Sequence, residues 1–177
     1  MAHMEGMRHL ALLIFCLLPL SAMAQPPALS GDGKRHLQSL ALFEGSPTPV
    51  YGNRPILVTF FASWCPPCTA EFRELNKLRA AFPEDRLAIL AVNLFEDYSK
   101  DKNGRRMQRF LKRTAPTFPL VHAGDKAKLE EIFGPLKRIP TVFIFDADGR
   151  VIYSFIHETG ATKMNSSFEE MAAALGG

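Results

Sequence analysis

The chain has 177 residues, 47% of them hydrophobic, with a formal net charge of +3. That is enough chain for one domain with a buried core. The charge excess is too small by itself to imply a polyanionic partner. Three cysteines are too few for a multi-disulfide scaffold.

Arg8 and His9 precede an apolar run over residues 10–20, followed by Ser21-Ala22-Met23-Ala24. A charged start, an apolar stretch and an A-x-A site form an export signal, so residues 1–24 are expected to be cleaved. The run is short for a membrane span of ~20 residues, and an uncleaved anchor is the alternative. Cleavage would remove Cys16 and leave two cysteines, Cys65 and Cys68. Residues 25–35 are rich in Pro, Gly and Ser and read as a flexible leader, with the folded domain over 36–177. Leu37, Leu40, Leu42 and Phe43 suggest a strand or a short helix.

The turn Gly52-Asn53-Arg54-Pro55 feeds a continuous apolar run over 56–61. Such a run is a strand buried on both faces, as in a sheet covered by helices. Residues 69–82 carry Phe72, Leu75, Leu78, Ala81 and Phe82 at helical spacing, and Pro83 ends that helix. A second buried strand follows over 87–94. Strand, helix and strand make a parallel, right-handed crossover.

Residues 100–113 contain seven basic residues and one acid. Met107, Phe110 and Leu111 give them one apolar edge, so a surface helix is expected. Such a charge run is most often a solvated face, and a docking face for an acidic partner is the alternative. Nucleic acid is not expected for an exported chain, and a lone Phe110 on the apolar edge is not the aromatic interleaving that would support it. A short strand at 119–122 precedes a helix over 125–133 with Asp125 as its cap, ended by Gly134-Pro135. Residues 141–145 and 151–156 read as antiparallel strands joined by the turn Asp146-Ala147-Asp148-Gly149. Ser166 or Ser167 caps a last helix.

The stretch Phe60-Phe61-Ala62-Ser63-Trp64-Cys65-Pro66-Pro67-Cys68 places a Cys-x-x-Cys where a buried strand ends and a helix begins. A helix start points free N–H groups and a positive partial charge outward, so Cys65 there ionises more easily than a free thiol. Pro66 and Pro67 suit the first helical positions, where a missing N–H costs no internal hydrogen bond. Read from the residues alone, the pair is either catalytic or one small structural loop. A zinc site needs about four ligands, and no histidine stands at ligand spacing from the two thiols. His36, His122 and His157 are scattered, so no metal is expected.

This stretch resembles the active site of the thioredoxin superfamily. The segment Arg138-Ile139-Pro140-Thr141-Val142-Phe143-Ile144-Phe145-Asp146-Ala147-Asp148-Gly149 resembles the cis-proline segment of the same superfamily. Together with the export signal and Glu71, it is most similar to the TlpA/ResA/DsbE-like branch of envelope thiol–disulfide oxidoreductases. The resemblance covers roughly residues 56–156. It implies an α/β, thioredoxin-like fold: a central mixed β-sheet flanked by helices on both faces. It also implies a periplasmic enzyme that reduces specific protein disulfides, in cytochrome c maturation or metal-site assembly.

Cys65 is then the nucleophile and Cys68 the resolving thiol. No cofactor is expected beyond the redox-active Cys65–Cys68 disulfide. Glu71 either exchanges a proton with Cys68 or is an acidic first-turn residue matched to the helix dipole; the resemblance favours the first. Thr59 stands where thioredoxins usually place a buried aspartate, which leaves Glu71 as the acid. Trp64 is a lid over the thiolate or simple packing. Substrate contacts are expected from Trp64, Pro66, Pro67, Ile139 and Pro140, with a cis Ile139-Pro140 bond. The implied partners are a protein thiol or disulfide substrate and a membrane thiol reductase as electron donor, with the chain a monomer. A different class stays open: a peptide-binding or holdase module whose cysteines form a structural disulfide.

Overall fold

The structure, a computed structural model, describes residues 27–101 and 103–176. The export signal over 1–24 lies outside the described residues. Among those described, no helix is long and apolar enough to cross a membrane.

The centre is β1 (Ile56–Phe61), whose six residues are all buried. It pairs in parallel with β2 (Ala88–Asn93) and antiparallel with β4 (Thr141–Phe145). β3 (Leu120–His122) adds in parallel to β2, and β5 (Val151–Ile156) adds antiparallel to β4. The sheet order is β3-β2-β1-β4-β5. β5 alternates half-buried and exposed residues, as an edge strand does when one face is wet.

Adjacent residues of a strand point to opposite faces, and the two phenylalanines that end β1 show what covers each face. Phe61 packs on Phe72 of α2 (Pro66–Ala81) and on Phe110 of α3 (Arg105–Thr114), with ring centroids 4.8 and 5.3 Å away. Phe60 meets Phe133 of α4 (Lys126–Phe133) edge-on at 5.0 Å. The sheet is therefore mixed and covered by helices on both faces, the thioredoxin-like α/β arrangement expected. α5 (Phe168–Ala174) is held by a capping box between Ser167 and Glu170 and lies by α2, where the Phe168 N–H donates to Glu74 Oε2 at 3.2 Å.

The leader is where the structure departs from expectation. Residues 31–35 belong to α1 (Gly31–Ser39), whose cap Ser30 accepts the Gly33 N–H at 3.1 Å. Leu29 and Leu37 are buried, and Ala28 bridges Arg150. The Gly-rich composition conceals a close approach: a Cβ on Gly33 would stand 3.1 Å from Leu29 Cδ1 and 3.5 Å from Ile132 Cγ2 of α4. At the other side of the bridge, Gly149 has φ 84° and a Cβ there would come within 2.3 Å of the Leu29 carbonyl oxygen. Only glycine fits that turn.

α2 also begins earlier than its apolar spacing suggests. Pro66 and Pro67 are its first two residues, and Cys65 is its cap. Neither proline needs an N–H in the first turn, so the pair starts the helix rather than delaying it.

Candidate active site

Strand register brings the site together. β1 and β4 run antiparallel with Phe60 opposite Thr141, so the end of β1 that leads to Cys65 faces the end of β4 that begins after Pro140. The Ile139-Pro140 peptide bond is cis, as the segment's resemblance implies. The Pro140 carbonyl accepts from the His157 N–H at 3.1 Å, and the Arg138 carbonyl accepts from the Thr141 hydroxyl at 2.9 Å. Among the described residues, no backbone hydrogen bond engages the N–H or C=O of Ile139 between them.

Cys65 and Cys68 are disulfide-bonded, with Cα atoms 5.3 Å apart. The Cys68 N–H donates to Cys65 Sγ at 3.2 Å. The capping atom of α2 is thus the sulfur itself, placed where the free N–H groups and the dipole favour negative charge. Cys65 is only 3% exposed and is still the more exposed of the pair, against 0% for Cys68. Its access is a cavity of about 290 Å³ lined by Ser63, Trp64, Cys65, Pro66, Thr69 and the side chains of Arg73 and Arg113. Pro67, Ile139 and Pro140 do not line that cavity; the last two are buried just before β4.

Glu71 lies in the second turn of α2 and is fully buried. That removes the reading of an exposed first-turn acid matched to the helix dipole. Spacing puts it on the Cys68 side of the helix. Its Oε1 accepts the Thr59 hydroxyl at 2.6 Å, so the β1 position that lacks an aspartate supplies a donor to the helix carboxyl. Oε2 has no hydrogen bond of ordinary geometry, although the Ser166 backbone N–H also favours the charged form. Burial dominates over both donors and pushes the carboxyl up to about 7.

Trp64 is half-buried, and its indole N–H donates to the Phe95 carbonyl at 2.8 Å. Phe95 has φ 65°, a left-handed conformation uncommon for a bulky residue. Next to it, Glu96 accepts from the Ser63 N–H at 2.9 Å, from the Ser63 hydroxyl, and from Asn93 Nδ2 at 2.9 Å. The loop after β2 therefore clasps the Ser63-Trp64 segment that leads into Cys65. Sequence reasoning missed Ser63, Asn93, Phe95 and Glu96, since nothing in their spacing marks them. It also missed Arg73 and the tie from Arg113 Nη2 to Thr69 Oγ1 at 3.0 Å, although Arg113 stood in a basic run already noticed.

A thiol at a helix start, a partner cysteine one turn inward, a buried carboxyl behind it and a cis-proline loop at the same sheet end define a thioredoxin-fold thiol–disulfide oxidoreductase. Residues 46–175 match the Redoxin family, and the chain belongs to it. It is similar to sporulation thiol-disulfide oxidoreductase A of Bacillus subtilis, 29% identical over 69% of this chain and 70% of that protein. It is also similar to the thiol-disulfide oxidoreductase ResA of Geobacillus thermodenitrificans, 30% identical over 57% of this chain and 53% of ResA. A DsbE homolog of Paracoccus denitrificans is 34% identical over 55% of this chain and 48% of its own length. The match thus spans about half the length of these last two relatives. Among solved structures, StoA of Bacillus subtilis aligns with a TM-score of 0.56, 24% identity and coverage of 76% of this chain and 92% of StoA. A secreted Mycobacterium tuberculosis disulfide oxidoreductase aligns with the same score at 19% identity, over 80% of this chain and 97% of its own. At these identities the two structures speak for the fold.

Proposed function

We propose that this protein is an exported, specific reductant of protein disulfides, of the kind needed before haem or a metal can be attached to protein cysteines. The supporting observation is Glu71, a fully buried carboxyl three residues beyond Cys68 whose affinity for a proton is raised to about pH 7. In the reduced form the Cys65 thiolate attacks one sulfur of a substrate disulfide, and the other substrate sulfur leaves as a thiolate. Cys68 then gives its proton to Glu71 and attacks Cys65 Sγ. The second substrate thiol departs, and the Cys65–Cys68 disulfide forms. Two electrons have passed to the substrate, so a donor must return them; a membrane thiol reductase is the class of partner that fits an oxidising compartment.

Three features support the reducing direction. Pro66 and Pro67 offer no histidine to stabilise the Cys65 thiolate. An anionic Glu71 disfavours thiolate at Cys68 and so favours the disulfide, which makes the dithiol the better donor. Between the two signatures the described chain holds the rest of α2, then β2, one turn of 3-10 helix, α3, β3 and α4, without a large helical insertion. The unengaged backbone of Ile139 suits pairing with an extended substrate segment, and Trp64 and Pro66 border the cavity at Cys65. A glutathione redox titration tests the direction: a potential toward about −270 mV is expected, and one less negative than about −180 mV would place the protein among oxidants. The alternative of a holdase with a structural disulfide predicts peptide binding that survives loss of both thiols.

A further inference from the structure

A charge run such as the seven cations around α3 is most often a solvated face, and three observations argue against that here. First, the cations are not neutralised. Elsewhere, Arg35, Lys77, Lys126, Arg150 and Lys163 each pair with a nearby carboxylate. Among the described residues, no ion pair engages Arg73, Arg105, Arg106, Arg109, Lys112 or Arg113, and all six are exposed. Second, the placement opposes helix stability. Arg105 and Arg106 stand in a first turn that has no acidic residue of its own and a cap, Gly104, without a side chain; Asp101, three residues before the cap, offsets part of this through Oδ2, which accepts the Arg106 N–H at 2.5 Å. Cations are unfavourable there. Arg105, Arg109 and Arg113 repeat at four-residue spacing, where like charges repel. Third, the stripe leads somewhere. Arg113 and Arg73 line the cavity at Cys65, and Arg113 Nη2 spends one of its donors on Thr69 Oγ1. Arg109 and Arg105 continue the same side of α3 away from it, over about 12 Å of helix.

We infer that this stripe is a docking surface for the protein substrate, and that the substrate carries Asp or Glu residues a few positions from the disulfide it presents to Cys65. The inference rests on the reading of the site as a thiol–disulfide exchange centre and adds the chemistry of its partner. An extended segment covers about 12 Å in roughly four residues, which sets the distance of the acidic group from the reacting cysteine. Bidentate contacts from guanidinium groups to carboxylates suit the arginine-rich composition. The anionic segment also removes the repulsion along α3.

The test uses reduced protein and three disulfide-linked peptides that differ in residues three to five positions from the cysteine: acidic, uncharged or basic. Trp64, the single tryptophan, reports oxidation by its fluorescence. The acidic peptide is expected to react roughly tenfold faster than the basic one at low salt, and the gap to close near 1 M salt. Arg105→Glu with Arg109→Glu inverts the preference, and the Gln pair at those positions abolishes it, with circular dichroism showing that each variant folds. Equal rates for the three peptides overturn the docking surface and leave the exchange reading standing. Equal rates with co-sedimentation on phosphatidylglycerol vesicles assign the stripe to a lipid surface and overturn it too. Failure to reduce any peptide overturns the exchange reading, and this inference with it.

Discussion

Glu71 and Arg73 are two residues apart on one helix and have opposite fates. Glu71 is fully buried behind the dithiol; Arg73 stands in the open at its mouth. A charge in the interior responds to burial by changing its proton affinity, which is why Glu71 titrates near the pH at which thiols exchange. A guanidinium in water keeps its charge at any working pH. It can steer a partner, and it cannot carry a proton. Helical periodicity assigns the two jobs, because residues 68, 71, 72 and 75 turn inward while 69 and 73 turn toward the cavity.

The largest effect should come from removing the centre that both residues serve. Cys65→Ser is expected to abolish dithiothreitol-driven insulin reduction, while Cys68→Ala accumulates mixed disulfides through Cys65 on non-reducing gels. Equal trapping by a Cys65→Ala variant would mean that the order of the two thiols is wrong.

The next effect isolates Glu71 through pH. Its carboxyl is raised from 4.5 to about 7 in the folded chain, so across that window the folded protein holds a proton that the unfolded chain has lost. Stability is therefore full below pH 4.5, falls as pH rises through about 7, and stays lower above. The total change is on the order of 3 kcal/mol. Urea unfolding of the oxidised protein from pH 4 to 9 should show this fall, and Glu71→Gln should remove it. A parallel pH profile for the two proteins would contradict a buried, titrating Glu71.

Thr59→Val sharpens the same side of the comparison. It deletes the donor to Glu71 Oε1, leaving that oxygen buried without its partner. A loss of about 1–3 kcal/mol is expected, larger above pH 7 than below because the charged carboxylate depends more on the hydroxyl. The smallest effect belongs to the exposed side. Arg73→Gln should shift thermal stability within about 0.5 kcal/mol and raise KM for an acidic peptide a few-fold, with kcat little changed. A large stability loss there would mean that Arg73 is structural.

Much of this was legible in the chain. The apolar runs marked β1, β2 and β4 because strands buried on both faces leave no polar alternation to misread. The motif at 65–68 and the segment around Pro140 marked the site because a helix-start cysteine pair has few other uses. Composition misled at α1, where glycine, serine and proline suggested a leader. Gly33 and Gly149 are there for close packing, and such packing is visible only once α4 and the β4–β5 turn are in place. The motif also says nothing of the Phe95-Glu96 loop that holds Ser63 and Trp64 just before Cys65.

By itself, then, the sequence determined the order of strands and helices, the reactive pair and the acid three residues beyond it, because these follow from local periodicity and residue chemistry. Only the tertiary structure decided that Thr59 meets Glu71, that Glu96 and Phe95 hold the loop before Cys65, and that Arg113 borders the same cavity as Arg73. Each of those contacts joins residues between 12 and 40 positions apart, from different elements. Strand register and the packing of α2 and α3 on one face of the sheet set such distances, and no local pattern in the chain encodes them.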